Sequence, residues 1–176
     1  STVNTFSNIV TGWDNVDVGN VVTYSVNTNL SAGTVYYYRV RAFNVNGASG
    51  NSNTINLVTV PPQPVTTAAT NVSTTNFYAN WNATNGAAGY FIDVATDAAF
   101  TSMVAGWTNV DAGNVTTYSV STNLSAGTTY YYRVRAYNSG GTSVSSSETG
   151  VLTAPLAPLA TASSGSGANN FTANWN

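Results

Sequence analysis

The ionisable side chains of this chain are few, and they limit the chemistry that it could perform. Its 176 residues include four Arg and six acidic residues, with no His, Lys or Cys. A nucleophilic triad needs a base beside the nucleophile, and no imidazole or amine side chain is present for that role. A glycosidase-type carboxylate pair would have to come from Asp93, Asp97, Asp111 and Glu148. Asp111 falls in a predicted turn, and surface pairing with Arg133 across adjacent strands explains Asp93 better. We therefore predict that the protein is not an enzyme, with no catalytic residues and no cofactor.

One segment has the oxygen density of a calcium loop. Residues 13–20 read WDNVDVGN, and residues 107–114 form a later copy, WTNVDAGN. The copy lacks the first carboxylate, and no Glu closes either loop as a calcium site would require. A hairpin turn, in which Asp and Asn bond their own backbone and Gly adopts positive φ, explains the segment better. No metal site is predicted.

Aromatic side chains flanked by Arg could form a ligand-binding strip. The outward-facing residues are Tyr37, Phe43, Tyr131 and Tyr137. Such a strip could stack on sugars or dock a protein, whereas ordinary cross-strand pairing explains the same residues without a ligand. Both interpretations stay open, so carbohydrate is retained as a candidate partner and no ligand-binding residue is assigned.

The low charge of the chain indicates its location and the partners that it does not bind. Only 6% of the residues are charged and the net charge is −2, while Asn, Thr and Ser replace charge on the surface. Four Arg spread over two repeats cannot neutralise a phosphate backbone, so a nucleic-acid partner is not expected. No apolar run approaches the length of a membrane span, and the start, STVNTF, does not resemble a signal peptide. We expect an extracellular protein, secreted or on the cell surface, that does not insert into a membrane.

The stretch that must position these groups is a strand. Residues 130–138, YYYRVRAYN, have a near-identical copy at 36–44, YYYRVRAFN. Side chains alternate between the two faces of a strand, and Tyr and Val favour strands. The inward set is Tyr130, Tyr132, Val134 and Ala136, and the outward set is Tyr131, Arg133, Arg135 and Tyr137. The first set can be buried, while the second can lay rings and arginine stems on the sheet with its charges in water.

The whole chain repeats with a period of 94 residues. Trp13 and Trp107 are related by this offset, as are Trp81 and Trp175, and residues 1–60 are identical to residues 95–154 at 34 of 60 positions. The period divides the chain into three parts, whose names are kept below. The first segment (1–60) is the C-terminal part of a module, the central module (61–154) is complete, and the last segment (155–176) holds the first two strands of a further module.

The central module is predicted to be an all-β, immunoglobulin-like sandwich. Turn residues separate seven expected strands, at about 65–70, 76–82, 89–96, 103–107, 115–121, 129–138 and 143–153. No window shows the three-to-four spacing of a helix. The predicted core consists of Trp81, Tyr90, Ile92, Tyr118, Val120, Leu124, Tyr130, Tyr132 and Val134.

Four motifs in order carry a family resemblance. They are the single Trp81 on the second strand, the strand GYFIDV, the run LSAGTTY and the strand YRVRAYN. With these motifs the chain resembles tandem fibronectin type III domains of bacterial secreted and surface proteins. The resemblance implies a tyrosine corner formed by Leu124 and Tyr130. The repetition, the nearly neutral surface, the proline-rich linkers and the lack of a reactive group, rather than the resemblance, predict non-catalytic structural repeats of an extracellular surface protein or filament. The alternative is a carbohydrate- or protein-binding module, or a spacer, of a secreted enzyme or adhesin.

The incomplete segments predict self-association. The first segment lacks two opening strands and most of a third, whereas the last segment carries opening strands with Phe171, Ala173 and Trp175 on one face. The last segment of one chain could therefore complete the first segment of the next by strand addition, which gives a linear filament. A composite module of this kind would lack only the counterpart of residues 83–94. A continuous longer polypeptide would present similar ends, so both origins stay open.

Overall fold

The structure, a computed structural model, describes residues 1–176 and contains fourteen β-strands and no helix. It accordingly offers no helical segment with the length and hydropathy needed to span a membrane. The predicted all-β, immunoglobulin-like sandwich is confirmed.

The central module consists of two sheets that face each other. Its strands, in chain order, are β5 (Thr66–Thr70), β6 (Phe77–Trp81), β7 (Gly89–Ala95), β8 (Val110–Gly113), β9 (Thr117–Val120), β10 (Thr129–Asn138), β11 (Gly141–Thr142) and β12 (Thr149–Leu152). One sheet has the order β5-β6-β9, and the other has the order β11-β10-β7-β8 with β12 also paired to β10. All of these pairs are antiparallel. The module has seven strands if β11 and β12 are counted as one interrupted strand.

The core forms where the inward faces of the two sheets meet. Tyr132 of β10 lies against Phe77 of β6 with ring centroids 5.9 Å apart, and Tyr90 of β7 lies 5.5 Å from Trp81. The hydroxyl of Tyr132 also donates to the backbone carbonyl of Thr67 in the opposite sheet. Burial raises the pKa of Tyr132 above its usual value. Burying side chains of this size contributes about 1.5 to 3 kcal/mol each before conformational entropy is subtracted.

Eight of the nine residues named as core from the sequence are buried, and one differs. The buried ones are Trp81, Tyr90, Ile92, Val120, Leu124, Tyr130, Tyr132 and Val134. Tyr118 is only half-buried, because it packs against the core cluster and does not lie within it. Its ring packs edge-on against the buried Trp107, with a centroid distance of 6.2 Å, and so covers the rim of the core.

A tyrosine corner closes the turn before β10. The Tyr130 ring is buried, and its hydroxyl accepts a hydrogen bond of 2.8 Å from the backbone N–H of Ser125. The first segment repeats this contact, since the N–H of Ser31 donates to the Tyr36 hydroxyl at 2.7 Å. The corner forms in both copies with Ala, Ala126 and Ala32, in the turn before the tyrosine.

Two predicted strands differ from the observed ones. Residues 103–107 form only an isolated bridge between Met103 and Ala95, followed by a tight turn in which the Trp107 N–H donates to the Val104 carbonyl. Gly106 has a φ of 81° in this turn, which breaks the ladder. The edge strand of this sheet is instead β8.

The expected strand at 143–153 is interrupted because serine side chains replace backbone partners. The N–H groups of Val134 and Ala136 donate to the hydroxyls of Ser146 and Ser143, each at 3.0 Å. Backbone ladder pairing is therefore confined to β11 and β12.

The first and last segments have short sheets of their own. In the first segment β1 (Val35–Tyr38) pairs with β4 (Ile55–Val58), and β2 (Phe43–Asn44) pairs with β3 (Gly47–Ala48). The last segment is a hairpin of β13 (Ala160–Ser164) and β14 (Thr172–Trp175). Tyr36, the copy of Tyr130, is buried, but other side chains of the first segment that correspond to the core are exposed: Tyr38 is 49% and Val40 is 61% exposed. These strands therefore present an uncovered apolar face.

Candidate functional site

The outer face of the five-stranded sheet carries a row of charged and aromatic side chains. This arginine–aromatic face consists of Phe91, Asp93, Phe100, Arg133, Arg135 and Tyr137. Alternation along β7 and β10 puts these strand residues on the side opposite the core. The register places Arg133 opposite Asp93, Arg135 opposite Phe91 and Tyr137 opposite Gly89.

Asp93 is the electrostatic centre of this face. One carboxylate oxygen accepts the Asn109 backbone N–H at 2.6 Å, and the other accepts the Nε–H of Arg133 at 3.1 Å. The Arg135 guanidinium lies 3.3 Å from the same carboxylate. The predicted pairing of Asp93 with Arg133 is present, but its predicted surface location was wrong, since Asp93 is only 3% exposed. The two arginine stems and the loop at Asn109 cover the carboxylate.

A loop outside the strands adds an aromatic ring to the face. The Arg133 guanidinium lies 4.1 Å from the centroid of the Phe100 ring, within the range of a cation–π contact. Asp97 holds this loop, because its carboxylate accepts the N–H groups of Thr101 and Ser102 at 3.1 and 2.7 Å. The hydrogen bond from Thr101 is the main cause that lowers the pKa of Asp97. Asp97 therefore has a structural role as the anchor of Phe100.

The other end of the face is built around Tyr137. Its ring packs on Phe91 with centroids 4.6 Å apart at 30°, and Arg135 lies 6.0 Å from the Phe91 centroid. The Tyr137 hydroxyl donates to Asp111 at 3.0 Å, and this hydrogen bond is the main cause that raises the pKa of Tyr137. Gly89 opposite leaves room for the ring, since a Cβ there would overlap it.

The aromatic strip predicted from the sequence is only partly assembled. Tyr131 lies on the outer face beside Gly150 of β12, two positions from Arg133, and Tyr137 belongs to the cluster just described. In the first segment Tyr37 is half-buried and Phe43 is exposed. Sequence reasoning missed Phe91, Phe100 and Asn109. For Phe100 a signal existed, because Phe6 is its copy at the 94-residue offset and lies 4.0 Å from Arg39 in the same way.

The later copy of the segment weighed as a calcium loop contains β8, an edge strand paired to β7, so the predicted hairpin turn and the predicted turn at Asp111 were wrong. The predicted local bonding is present, since the Asp111 carboxylate accepts the N–H of Gly113 at 2.9 Å and Asp17 accepts that of Gly19 at 2.8 Å. Both glycines have a φ close to 70°, and in the later copy this bond lies at an irregularity in the pairing of β8 with β7. No group of three or more His, Cys, Asp or Glu side chains is arranged to hold a metal ion.

The geometry limits what the arginine–aromatic face can do. Both guanidinium groups are engaged by Asp93, and Asp111 is engaged by Tyr137. The face therefore offers planar groups for stacking, and its titratable groups are occupied with one another. This arrangement supports docking or sheet stability rather than proton transfer.

We predict that Asp93→Asn destabilises the central module. The substitution removes a buried charge that faces two guanidinium groups, which normally costs several kcal/mol. The two arginine side chains are 33% and 27% exposed, so water recovers part of the loss and we expect a decrease of about 2 kcal/mol in the free energy of unfolding. Urea denaturation followed by tryptophan fluorescence measures this change.

Asp111→Asn is the matched control. Asp111 is exposed, and Asn keeps an acceptor for the Tyr137 hydroxyl, so the change should stay within about 0.5 kcal/mol. Equal effects of the two substitutions would show that Asp93 is not the centre of the face.

The chain is similar to known proteins in sequence and in structure. The chain is 36% identical over 123 residues to a Kelch domain-containing protein of Saccharolobus solfataricus, an alignment that covers 69% of this chain and spans 16% of the length of that protein. The solution structure of the sixth fibronectin type III domain of human fibronectin type III domain containing protein 3 is 25% identical, with a TM-score of 0.46, covering 65% of this chain and 98% of that one.

The crystal structure of the FN1–FN3 domains of chicken CNTN1 is also 25% identical, with a TM-score of 0.43, over 71% of this chain and 44% of that one. The family model of the fibronectin type III domain matches residues 60–151. That match covers just over half of the chain, and the chain belongs to the fibronectin type III family.

Proposed function

We propose that this chain supplies non-catalytic structural modules, repeated in tandem, to an extracellular surface protein or filament. The observation that carries this proposal is what the 94-residue repeat preserves. It preserves packing contacts: the tyrosine corner and the arginine–phenylalanine contact recur in both copies, with Arg39 on Phe6 at 4.0 Å and Arg133 on Phe100 at 4.1 Å. A repeat that preserves architecture in this way is typical of a protein whose role is to hold distance and shape.

The connection between the first segment and the central module supports a spacer role. Pro61 and Pro64 are buried, and the Gln63 side chain donates to the Ser145 carbonyl at 2.7 Å. Proline restricts the backbone, and these contacts attach the connection to the module surface. The alignment spans 16% of the length of the Kelch domain-containing relative, which is consistent with modules that accompany other domains in a longer protein.

A binding module is the second candidate function, and one observation favours it. Phe91 and Tyr137 form a packed aromatic pair, with ring planes tilted by 30°, beside Arg135 on the outer face. Flat aromatic surfaces can stack on sugar rings or serve as anchors in a protein interface. This candidate includes a carbohydrate- or protein-binding module of a secreted enzyme or adhesin.

A glycan array probed with the full chain separates the two candidates. The spacer proposal predicts no specific glycan binding by the wild-type chain. Specific binding that is lost in Tyr137→Ala and Tyr131→Ala would instead establish the binding module. Tyr78→Ala is the matched control, because Tyr78 is a half-buried aromatic on the outer face of the other sheet.

We further propose that modules assemble head to tail by strand complementation. In the central module Phe77, Ala79 and Trp81 are buried, and Phe77 packs on Tyr132. Their copies Phe171, Ala173 and Trp175 are all exposed on the last segment, while the copy of Tyr132, Tyr38, is half exposed on the first. The exposed faces of the last and first segments are copies of the two sides of one buried interface in the central module, so we expect them to fit each other. Burying both would remove apolar area from water in a heterologous contact that extends linearly.

Deleting residues 156–176 tests this assembly. We expect the full chain to form polymers visible by electron microscopy and light scattering, and the deletion to yield a soluble species without polymers. The double substitution Phe171→Ser and Trp175→Ser should act like the deletion. Leu156→Ser with Leu159→Ser, which changes exposed apolar residues outside the hairpin strands, should leave the polymers intact. Unchanged fibres after the deletion would contradict strand complementation.

A further inference from the structure

The first segment and the central module meet through backbone rather than through side-chain packing. Gly33 and Gly86 are stacked so closely that a Cβ on Gly33 would overlap the Asn85 carbonyl, and a Cβ on Gly86 would overlap the backbone of Gly33. Gly33 lies in the turn that precedes β1, and Gly86 lies in the turn between β6 and β7. Two glycines that meet in this way allow an approach that no other residue pair permits.

Asparagine side chains bridge the same contact. The Asn85 side-chain amide donates to the Ala32 carbonyl at 3.1 Å. The Asn138 amide donates to the carbonyls of Thr59 and Gly86, each at 3.0 Å, so one side chain links both sides. Gly140 lies against the Val58 carbonyl, where a Cβ would not fit. These contacts restrict both translation and rotation at the junction.

The far end of the central module presents the same acceptor surface without an occupant. Gly127 has a φ of 60° against 63° for Gly33, and its N–H donates to the Ala154 carbonyl as that of Gly33 does to Val60. Thr153 repeats the hydrogen bonds of Thr59 to the neighbouring turn. The only atom within 4 Å of a Cβ on Gly127 would be the Cα of Pro155, at 3.9 Å.

We infer that this junction is a fixed joint encoded by the repeat, and that the surface around Gly127 accepts the Asn-Gly turn of a following copy of the module. The occupant is identified by the matching geometry: the copy of Asn85 and Gly86 meets Gly127 as the originals meet Gly33. The inference rests on the proposed tandem repetition and deepens it, because successive complete modules would be held in one orientation and the array would be stiff. A composite module formed by strand complementation lacks the counterpart of residues 83–94 and would not form this joint. Ser-Ala-Gly-Thr, at residues 31–34 and 125–128, is the sequence of the acceptor turn in both copies.

Gly33→Ala and Gly127→Ala form a matched pair that tests the joint in the full-length chain carrying Phe171→Ser and Trp175→Ser, the substitutions expected to prevent polymer formation. Both substitutions carry the same cost of placing Ala at positive φ, but only the first introduces a methyl group into an occupied junction. We expect residual dipolar couplings to report a common alignment for the first segment and the central module in this parent chain and in Gly127→Ala. Gly33→Ala should lose that common alignment.

A second pair of substitutions distinguishes loss of the joint from unfolding of the first segment. Asn138→Ala removes one bond across the junction, to the Thr59 carbonyl, and two within the central module, to Gly86 and from the Gly140 N–H, whereas Asn44→Ala, its copy, removes only the corresponding turn bond from the Asn46 N–H. Only Asn138→Ala should uncouple the alignment, and the amide spectrum shows whether the first segment stays folded. Equal effects on the common alignment from the two substitutions of either pair would contradict the proposed joint.

Propagation is tested in an extended chain with residues 1–154 followed by residues 61–176. There Gly127 acquires a neighbour, and Gly127→Ala should uncouple the two complete modules. If Gly127→Ala remains silent in this chain, the surface around Gly127 is not an acceptor for a following copy. This outcome is independent of glycan binding, so failure of the joint and failure of the spacer proposal can be distinguished.

Discussion

The structure of the central module depends on the cover that each sheet provides for the apolar face of the other. The inward side chains of β10 are those that alternate with its arginines, and they become buried only because Phe77, Ala79 and Trp81 of β6 lie opposite. The same alternation fixes the outer face, since a shift of one residue would exchange the tyrosines of the core with Arg133 and Arg135. Core and arginine–aromatic face are therefore two results of one register.

This dependence explains why nearly identical strands have different environments in the two copies. Residues 36–44 repeat residues 130–138 at eight of nine positions, yet Tyr38 and Val40 are exposed where Tyr132 and Val134 are buried. Local sequence supports the tyrosine corner in both copies, because the corner needs only the turn beside it. The core needs partner strands from far along the sequence, and the first segment lacks them within this chain.

The features that the sequence predicted are those that depend on local pattern. The alternation of side chains in residues 130–138 predicted which of them are buried, and the four motifs in order predicted the family. Features that depend on tertiary contacts were missed. The burial of Asp93 follows from two arginine stems and the loop at Asn109, which a single strand does not specify. The break at 143–153 depends on Ser143 and Ser146 accepting hydrogen bonds from β10, and Tyr118 is half-buried because it packs against the outside of the core cluster.

Amide hydrogen exchange tests most directly the claim that cover from the opposite sheet, and not the strand sequence, determines burial. Exchange is slow where opening requires global unfolding and fast where strands are locally exposed. The account predicts strong protection for the amides of Tyr132 and Val134, and much weaker protection for those of Tyr38 and Val40, in one sample of the chain carrying Phe171→Ser and Trp175→Ser, which are expected to keep it monomeric. Equal protection of the two pairs would contradict it, because identical sequences would then be equally stable without their partner strands.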